Sequence, residues 1–255
     1  YTVRDGDTLI GIAARFRKHG WDAAFGASGT LRAVSEILIA RGASNVVIDR
    51  PGIKWILPGI RTSKLPSRRT VPRLRQVSVE DADQIAAIYE PLVRETAVSF
   101  EFHPPSPTEM ADRIRSVTSG HPWLVSEENG VVLAYAYATS FRGRPAYRWS
   151  VETTVYVHEE HRGRGVGGQV YRGLLDLSAR WGFANAFAGI ALPNPGSEAL
   201  HASMGFTSIG IFPRAGHKLG EWHDVGWWHR PLASSDPPRE PGPPPDVEIR
   251  ALLQP

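Results

Sequence analysis

Residues 159–175 read EEHRGRGVGGQVYRGLL, in which Arg162-Gly163-Arg164-Gly165-Val166-Gly167, followed by Gly168, has the form R-x-x-G-x-G. Glycines let successive backbone N–H groups turn inward with no side chain in the way. The stretch beyond them is amphipathic and predicts a helix over roughly 165–180, whose unpaired first donors and positive dipole end add to the same spot. Such donors together make an anion site suited to a pyrophosphate. The same glycines also fit a plain exposed turn, because loops of this kind are common. Two phosphate motifs are excluded: no Lys-Ser/Thr pair follows, and the three-glycine spacing of dinucleotide folds is not met.

A strand must lead into that loop, and YRWSVETTVYV ending at Val157 supplies it. Upstream, RLRQVSV reads as a strand and residues 80–96 as an amphipathic helix with Ile85, Ile88, Tyr89 and Leu92 on one face. Ser106, Pro107 and Glu109 form a capping box that opens a second helix. Asn129-Gly130 predicts a type I′ hairpin between two strands. Downstream come a buried strand ANAFAGIAL, a short helix in PGSEALHASMGF, and the closing strands TSIGIFPR and WHDVGWWHRPL. The expected fold class is α+β: a mixed, mostly antiparallel central sheet flanked by helices, with a small N-terminal appendage.

The chain has 255 residues, 42% of them hydrophobic, enough for one full core and a small second module. It has no cysteine, which excludes disulfides, thiolate metal sites and cysteine nucleophiles. No apolar run approaches the ~20 residues of a membrane span, so a cytoplasmic protein without membrane or nucleic-acid partner is the expectation. The net charge of +3 hides an asymmetry: residues 1–75 hold 14 Lys+Arg against 5 Asp+Glu, and residues 76–255 hold 15 against 21. That split argues for two pieces joined by the basic, proline-punctuated stretch 61–72. The boundaries expected are 1–60, 61–72, 73–233 and a proline-rich tail, 234–255, lying extended on the surface.

The strand TVYV, the R-x-x-G-x-G loop with its helix, and the later strand with LPN resemble the acetyl-CoA-binding core of the GNAT acetyltransferases. Within that superfamily, residues 72–255 resemble the phosphinothricin N-acetyltransferases. The segments that carry the likeness are TAVSFEF, HPWLVSEENG, FRGRPAYRWSVETTVYV, HRGRGVGGQVYRGLL, IALPNPGSEALHASMGF, AGHKLGEWHDVGWW and PPREPGPPPDVEI.

The resemblance implies that the amides of Gly163, Arg164, Gly165, Val166, Gly167 and Gly168, with Arg162, hold the coenzyme A pyrophosphate. It implies that Val155, Tyr156 and Val157 pair with the pantetheine arm and turn a backbone N–H to the thioester oxygen, and that Asn194 contacts the same cosubstrate. Glu152 is the first choice for the base that deprotonates the acceptor ammonium, since a carboxylate among aromatics is raised in pKa by desolvation. His201 is the second choice, and a core or capping histidine fits it as well. Arg142, Arg144 and Tyr147 match the anionic groups of the acceptor, although a solvated loop is the usual place for two such arginines. Phe100, Trp222 and His223 resemble the pocket walls, and any of these aromatics also suits a core. No metal is implied.

The activity implied is acetylation of the amino group of phosphinothricin or its demethyl form, a route to herbicide and antibiotic resistance. Methionine sulfone or sulfoximine, or another amino acid, is the alternative acceptor; EWHDVGWW and the tail favour phosphinothricin. The family allows a homodimer. YTVRDGDTLIGIAARF and WILPGIR resemble the ends of LysM modules, and FGASGTLRAVSEILIARG resembles a fragment of exopolyphosphatases. A cell-wall glycan partner follows only if residues 1–60 fold as a LysM module, which gives a glycan-binding protein as the reading of a different class.

Overall fold

The computed structural model describes residues 72–232, 239–244 and 249, together with two strands of the N-terminal region. The chain divides into two units, Tyr1–Arg69 and Thr70–Pro255. In the first, β1 (Val47–Arg50) pairs antiparallel with β2 (Ile53–Ile56), with Ile48 opposite Trp55. The LysM-like opening and the exopolyphosphatase-like stretch lie outside the described residues.

The second unit is built on a seven-stranded sheet in the order β3-β4-β5-β6-β7-β9-β8. Its strands are β3 (Arg73–Gln76), β4 (Trp123–Glu128), β5 (Val131–Ser140), β6 (Ser150–Val157), β7 (Asn185–Ala191), β8 (Thr207–Lys218) and β9 (Glu221–Pro231). All neighbours are antiparallel except β6 and β7, which the helix between them connects as a parallel pair. The β4–β5 turn is the expected hairpin, with φ 54° at Asn129 and 82° at Gly130, the left-handed pair a type I′ turn needs.

Helices cover both faces. On one, α1 (Ala82–Glu95) and α2 (Pro107–Thr118) bury Ile85, Ile88, Tyr89, Leu92, Met110 and Ile114 against Trp123, Val125, Val132 and Tyr135. The helix α2 starts at the expected box: Ser106 Oγ accepts the Glu109 amide, and the Glu109 carboxylate accepts the Ser106 amide at 2.7 Å. On the other face, α3 (Val166–Trp181) and α4 (Pro195–Ser203) pack Val170, Tyr171, Leu174, Leu175 and Leu177 over Ala134, Ala136, Ala138 and Val151. Among the described residues no helix is long and apolar enough to cross a membrane.

The tail departs from the extended surface course expected of its prolines. Arg239 O accepts the Trp149 indole N–H at 3.0 Å, the Gly242 amide donates to Trp181 O at 2.7 Å, and Ile249 is buried in the α3-side core. A buried isoleucine of that size contributes about 2 kcal/mol to holding the tail against the core.

Candidate active site

The site is made by a fork in the sheet. The β6–β7 ladder runs Ser150↔Asn185, Val151↔Ala186, Glu152↔Phe187 and stops there, while β7 continues against β9. His158 N–H bonds Leu133 O on the β5 side at 2.9 Å. By alternation Tyr156 also turns its backbone to β5, and the backbone groups of Val155 and Val157 face the open side of β6. Of the three residues expected at that edge, Val155 and Val157 thus turn their backbones to the open side, and Tyr156 turns its backbone to β5.

Beyond Val157 the chain turns through Gly163 and Gly165, at φ 72° and 81°, a conformation in which a side chain costs about 1–3 kcal/mol. Gly165 is the N-cap of α3, and its carbonyl accepts the Gln169 N–H in the first turn of the helix. The amides of Val166, Gly167 and Gly168 therefore have no carbonyl one turn back and are free donors at the positive end of a sixteen-residue helix. A Cβ at Gly167 would lie 2.8 Å from Val157 Cγ2, so only glycine lets α3 start this close to β6. At Gly168 an added Cβ would meet Met204 and Leu200 at ordinary distances. Arg162 Nε reaches Val157 O at 3.4 Å, and Arg164 lies 3.4 Å from His161 Nδ1. Asn194 caps α4, its Oδ1 accepting the Ser197 amide at 3.1 Å.

Glu152 stands at the end of the paired segment, half-buried on the face shared with Thr154 and Tyr156. Burial raises its pKa above the ordinary value of 4.5, and the nearby Arg142 guanidinium works against that rise. Among the described residues none donates a hydrogen bond to its carboxylate. On the same face stands an aromatic wall that the spacing along β6 alone does not reveal: Tyr137 stacks on Trp123 at 4.4 Å, and Tyr156 packs on Tyr89 and Tyr135. The hairpin register held the signal, because Thr139 faces Glu152 and Tyr137 is two residues away on the same side.

Arg142, Arg144 and Tyr147 line one pocket with Phe141 and Gly143. Phe141 stacks on Phe187 at 4.1 Å, which carries this loop to the mouth of the fork. Phe100 lies across from His223, with ring centroids 6.2 Å apart. Trp222 is 52% exposed, beside His217 and under the Arg214 guanidinium. These two aromatic pairs sit on the β8–β9 hairpin and the α1–α2 connector.

His201 is not brought to Glu152. It is 4% exposed, with its ring against Tyr171 and Phe206, and Tyr171 in turn bonds Thr153, which alternates with Glu152 onto the opposite face of β6. Its Nδ1 lies 2.8 Å from Ser197 O, which can only accept, so Nδ1 carries the proton; burial holds the ring neutral. The geometry is that of a core histidine in α4. Among the described residues one cluster could hold a metal, His158, Glu160 and His161, just before the loop, and there His158 Nδ1 accepts the Glu160 amide.

The segment that holds the strand fork, the glycine cradle on a helix N-terminus and the unbonded carboxylate matches a known family: the Acetyltransferase (GNAT) domain family matches residues 74–227. The chain belongs to the GNAT acetyltransferases. This GNAT chain is 38% identical over 174 residues, 68% of its length and 94% of the relative's, to the phosphinothricin N-acetyltransferase of Streptomyces viridochromogenes. It is 43% identical over 106 residues, 42% of its length and 62% of the relative's, to the L-methionine sulfoximine/L-methionine sulfone acetyltransferase of Salmonella typhimurium. A solved phosphinothricin acetyltransferase from Sinorhizobium meliloti, in complex with acetyl-CoA, superposes with a TM-score of 0.64 at 36% identity, covering 70% of this chain and 98% of that one. Acetyl-CoA is the cosubstrate of this GNAT fold, and the open backbone edge of β6 with the free amides at the start of α3 fits it.

Proposed function

We propose that the chain transfers the acetyl group of acetyl-CoA to the amino group of phosphinothricin or demethylphosphinothricin, and so confers resistance to them. The observation that carries this is Glu152: a carboxylate raised by burial, free of hydrogen bonds and beside the Arg142 guanidinium at the end of the β6–β7 ladder. Acetyl-CoA supplies, when bound, an acetyl thioester open to attack by a neutral amine. The amides of residues 163–168 hold its pyrophosphate, Val155 and Val157 hold its pantetheine arm, and Asn194 lies on the same side. Glu152 takes the proton that the acceptor ammonium must lose. Arg142 and Arg144 pair with the carboxylate and phosphinate of the acceptor, with Tyr147, Phe100, His223 and Trp222 as walls.

The catalytic unit is assigned to residues 73–233, with 61–72 as linker and 234–255 as tail, and the cytoplasm, where acetyl-CoA is made, is the compartment that suits it. A second copy of the chain is the proposed partner for the sheet edge at β8, where Ile209, Ile211 and Phe212 are all at least half exposed.

Thiol release from acetyl-CoA, measured across phosphinothricin, methionine sulfone, methionine sulfoximine and glutamate, tests the reading. Saturable release with phosphinothricin at low concentration supports it. Release only with the sulfone or sulfoximine keeps the chemistry and overturns the substrate. Silence across the panel, with thermal stabilisation by chitooligosaccharide and none by acetyl-CoA, would leave glycan binding as the function.

A further inference from the structure

Lys218 ends β8 and is 4% exposed. A lysine at that depth ordinarily faces a carboxylate. Here its Nζ donates to two main-chain oxygens, Val93 O at 2.6 Å and Ser99 O at 2.5 Å, and among the described residues no carboxylate oxygen lies within salt-bridge distance of it. Val93 is in the last turn of α1, where the helix presents its negative dipole end, and Ser99 is in the α1–α2 connector. The connector is gripped from the other side as well. Ser99 Oγ is 2.6 Å from Tyr89 Oη, Tyr89 donates to Glu101 at 3.0 Å, and Arg113 holds Glu101 through both oxygens at 2.7 and 2.8 Å.

Between the two fixed residues, Ser99 and Glu101, stands Phe100. Its ring abuts Gly216 of β8 so closely that a Cβ there would lie 2.4 Å from it. On the hairpin, His223 Nε2 donates to the carbonyl of Lys218 itself at 3.0 Å. One residue thus fixes both walls: its ammonium holds the connector that carries Phe100, and its carbonyl holds His223.

We propose that Lys218 is a positioning residue that sets the separation of Phe100 and His223, and with it the fit of the acceptor. This rests on the reading of that face as the acceptor pocket. The test uses the full chain and steady-state kinetics with phosphinothricin and acetyl-CoA varied in turn. Lys218→Met keeps the length and apolar stem of the side chain and removes both donors; Gly216→Ala displaces Phe100 and leaves both Lys218 bonds in place, so it serves if Lys218→Met does not fold. Each variant is expected to raise the acceptor KM by about tenfold or more while the acetyl-CoA KM stays within about twofold, the split a displaced binding wall gives. An unchanged acceptor KM in a folded variant, or equal rises in both constants, overturns the proposal. Absence of transfer by the unaltered chain to any amine in the panel is a separate result: it removes the acceptor reading and this proposal with it.

Discussion

Thr153 and Phe187 are joined across the tip of the fork: the Thr153 hydroxyl donates to the Phe187 carbonyl at 3.1 Å, one residue after the last β6–β7 pair. Because that hydroxyl has a single proton, the Tyr171 hydroxyl 2.8 Å away must donate to it. The chain of two bonds runs from the middle of α3 to β7 and fixes where the strands part. Glu152 sits immediately before this point, so the same side chains that open the cleft also set the position of the proposed general base.

Glu152→Gln is expected to lower turnover by roughly a hundredfold, the scale of a lost general base, with acetyl-CoA affinity near that of the unaltered chain. The pH profile carries a second reading. Burial raises the Glu152 pKa, so the acid limb of kcat/KM should lie above the ordinary 4.5 and vanish in the variant. Unchanged turnover would show that Glu152 is not the base; His201, buried on the opposite face of β6, is not placed to replace it.

Arg144→Ala removes one arm of the proposed anion pocket. Loss of a charged hydrogen bond, about 1.5–3 kcal/mol, should raise the acceptor KM by roughly ten- to a hundredfold and leave that of acetyl-CoA alone. Equal effects on both substrates would show that the arginine supports the loop and does not bind the acceptor.

Gly167→Ala sets a methyl 2.8 Å from Val157 Cγ2 and pushes the start of α3 off β6. Calorimetry should show acetyl-CoA binding weakened by about tenfold or more, the scale of a one-ångström misplacement, with far-ultraviolet circular dichroism unchanged.

His201→Phe should flatten the fall of thermal stability in acid. The His201 pKa is lowered by burial in the folded chain. Its contribution to stability is therefore present above the unfolded value of about 6.5 and is lost as pH falls through the folded one. Melting temperatures recorded between pH 7 and 5 decide it; parallel slopes for both proteins would mean that the ring titrates freely.

Ile211→Lys places a charge on the β8 edge and should convert a dimer to a monomer in sedimentation velocity. A monomer before substitution would remove the proposed partner.

Much of this was written in local pattern. Asn129-Gly130, the Ser106–Glu109 box and the apolar stripe of α1 each act over a few residues, and the structure shows each in place. The cradle was equally plain, because glycine spacing and a helix start are neighbours in the chain. What escaped the sequence depends on long-range packing. Which of Tyr156 and Val155 turns its backbone to the fork is decided by pairing with β5, which spacing along β6 does not reveal. Lys218, a residue type that spacing alone places on the surface, is buried only because α1 and its connector come to rest on it. Ile249 stands among prolines that signal an extended surface chain, and it is recruited by a cluster assembled from α3 and the sheet.

The strand order has a consequence for how the protein comes into being. β9 lies between β7 and β8 although it is the last of the three to be made. A chain emerging from the ribosome through α4 has β6, the glycine loop and α3 ready, yet one whole margin of β7 is still waiting for a partner. The cradle needs neither β8 nor β9, while the second limb of the cleft is secured only when Glu221–Pro231 pairs with β7 and brings β8 with it. Chains stalled before that point would carry an unpaired apolar margin, the kind of nascent intermediate that chaperones shield.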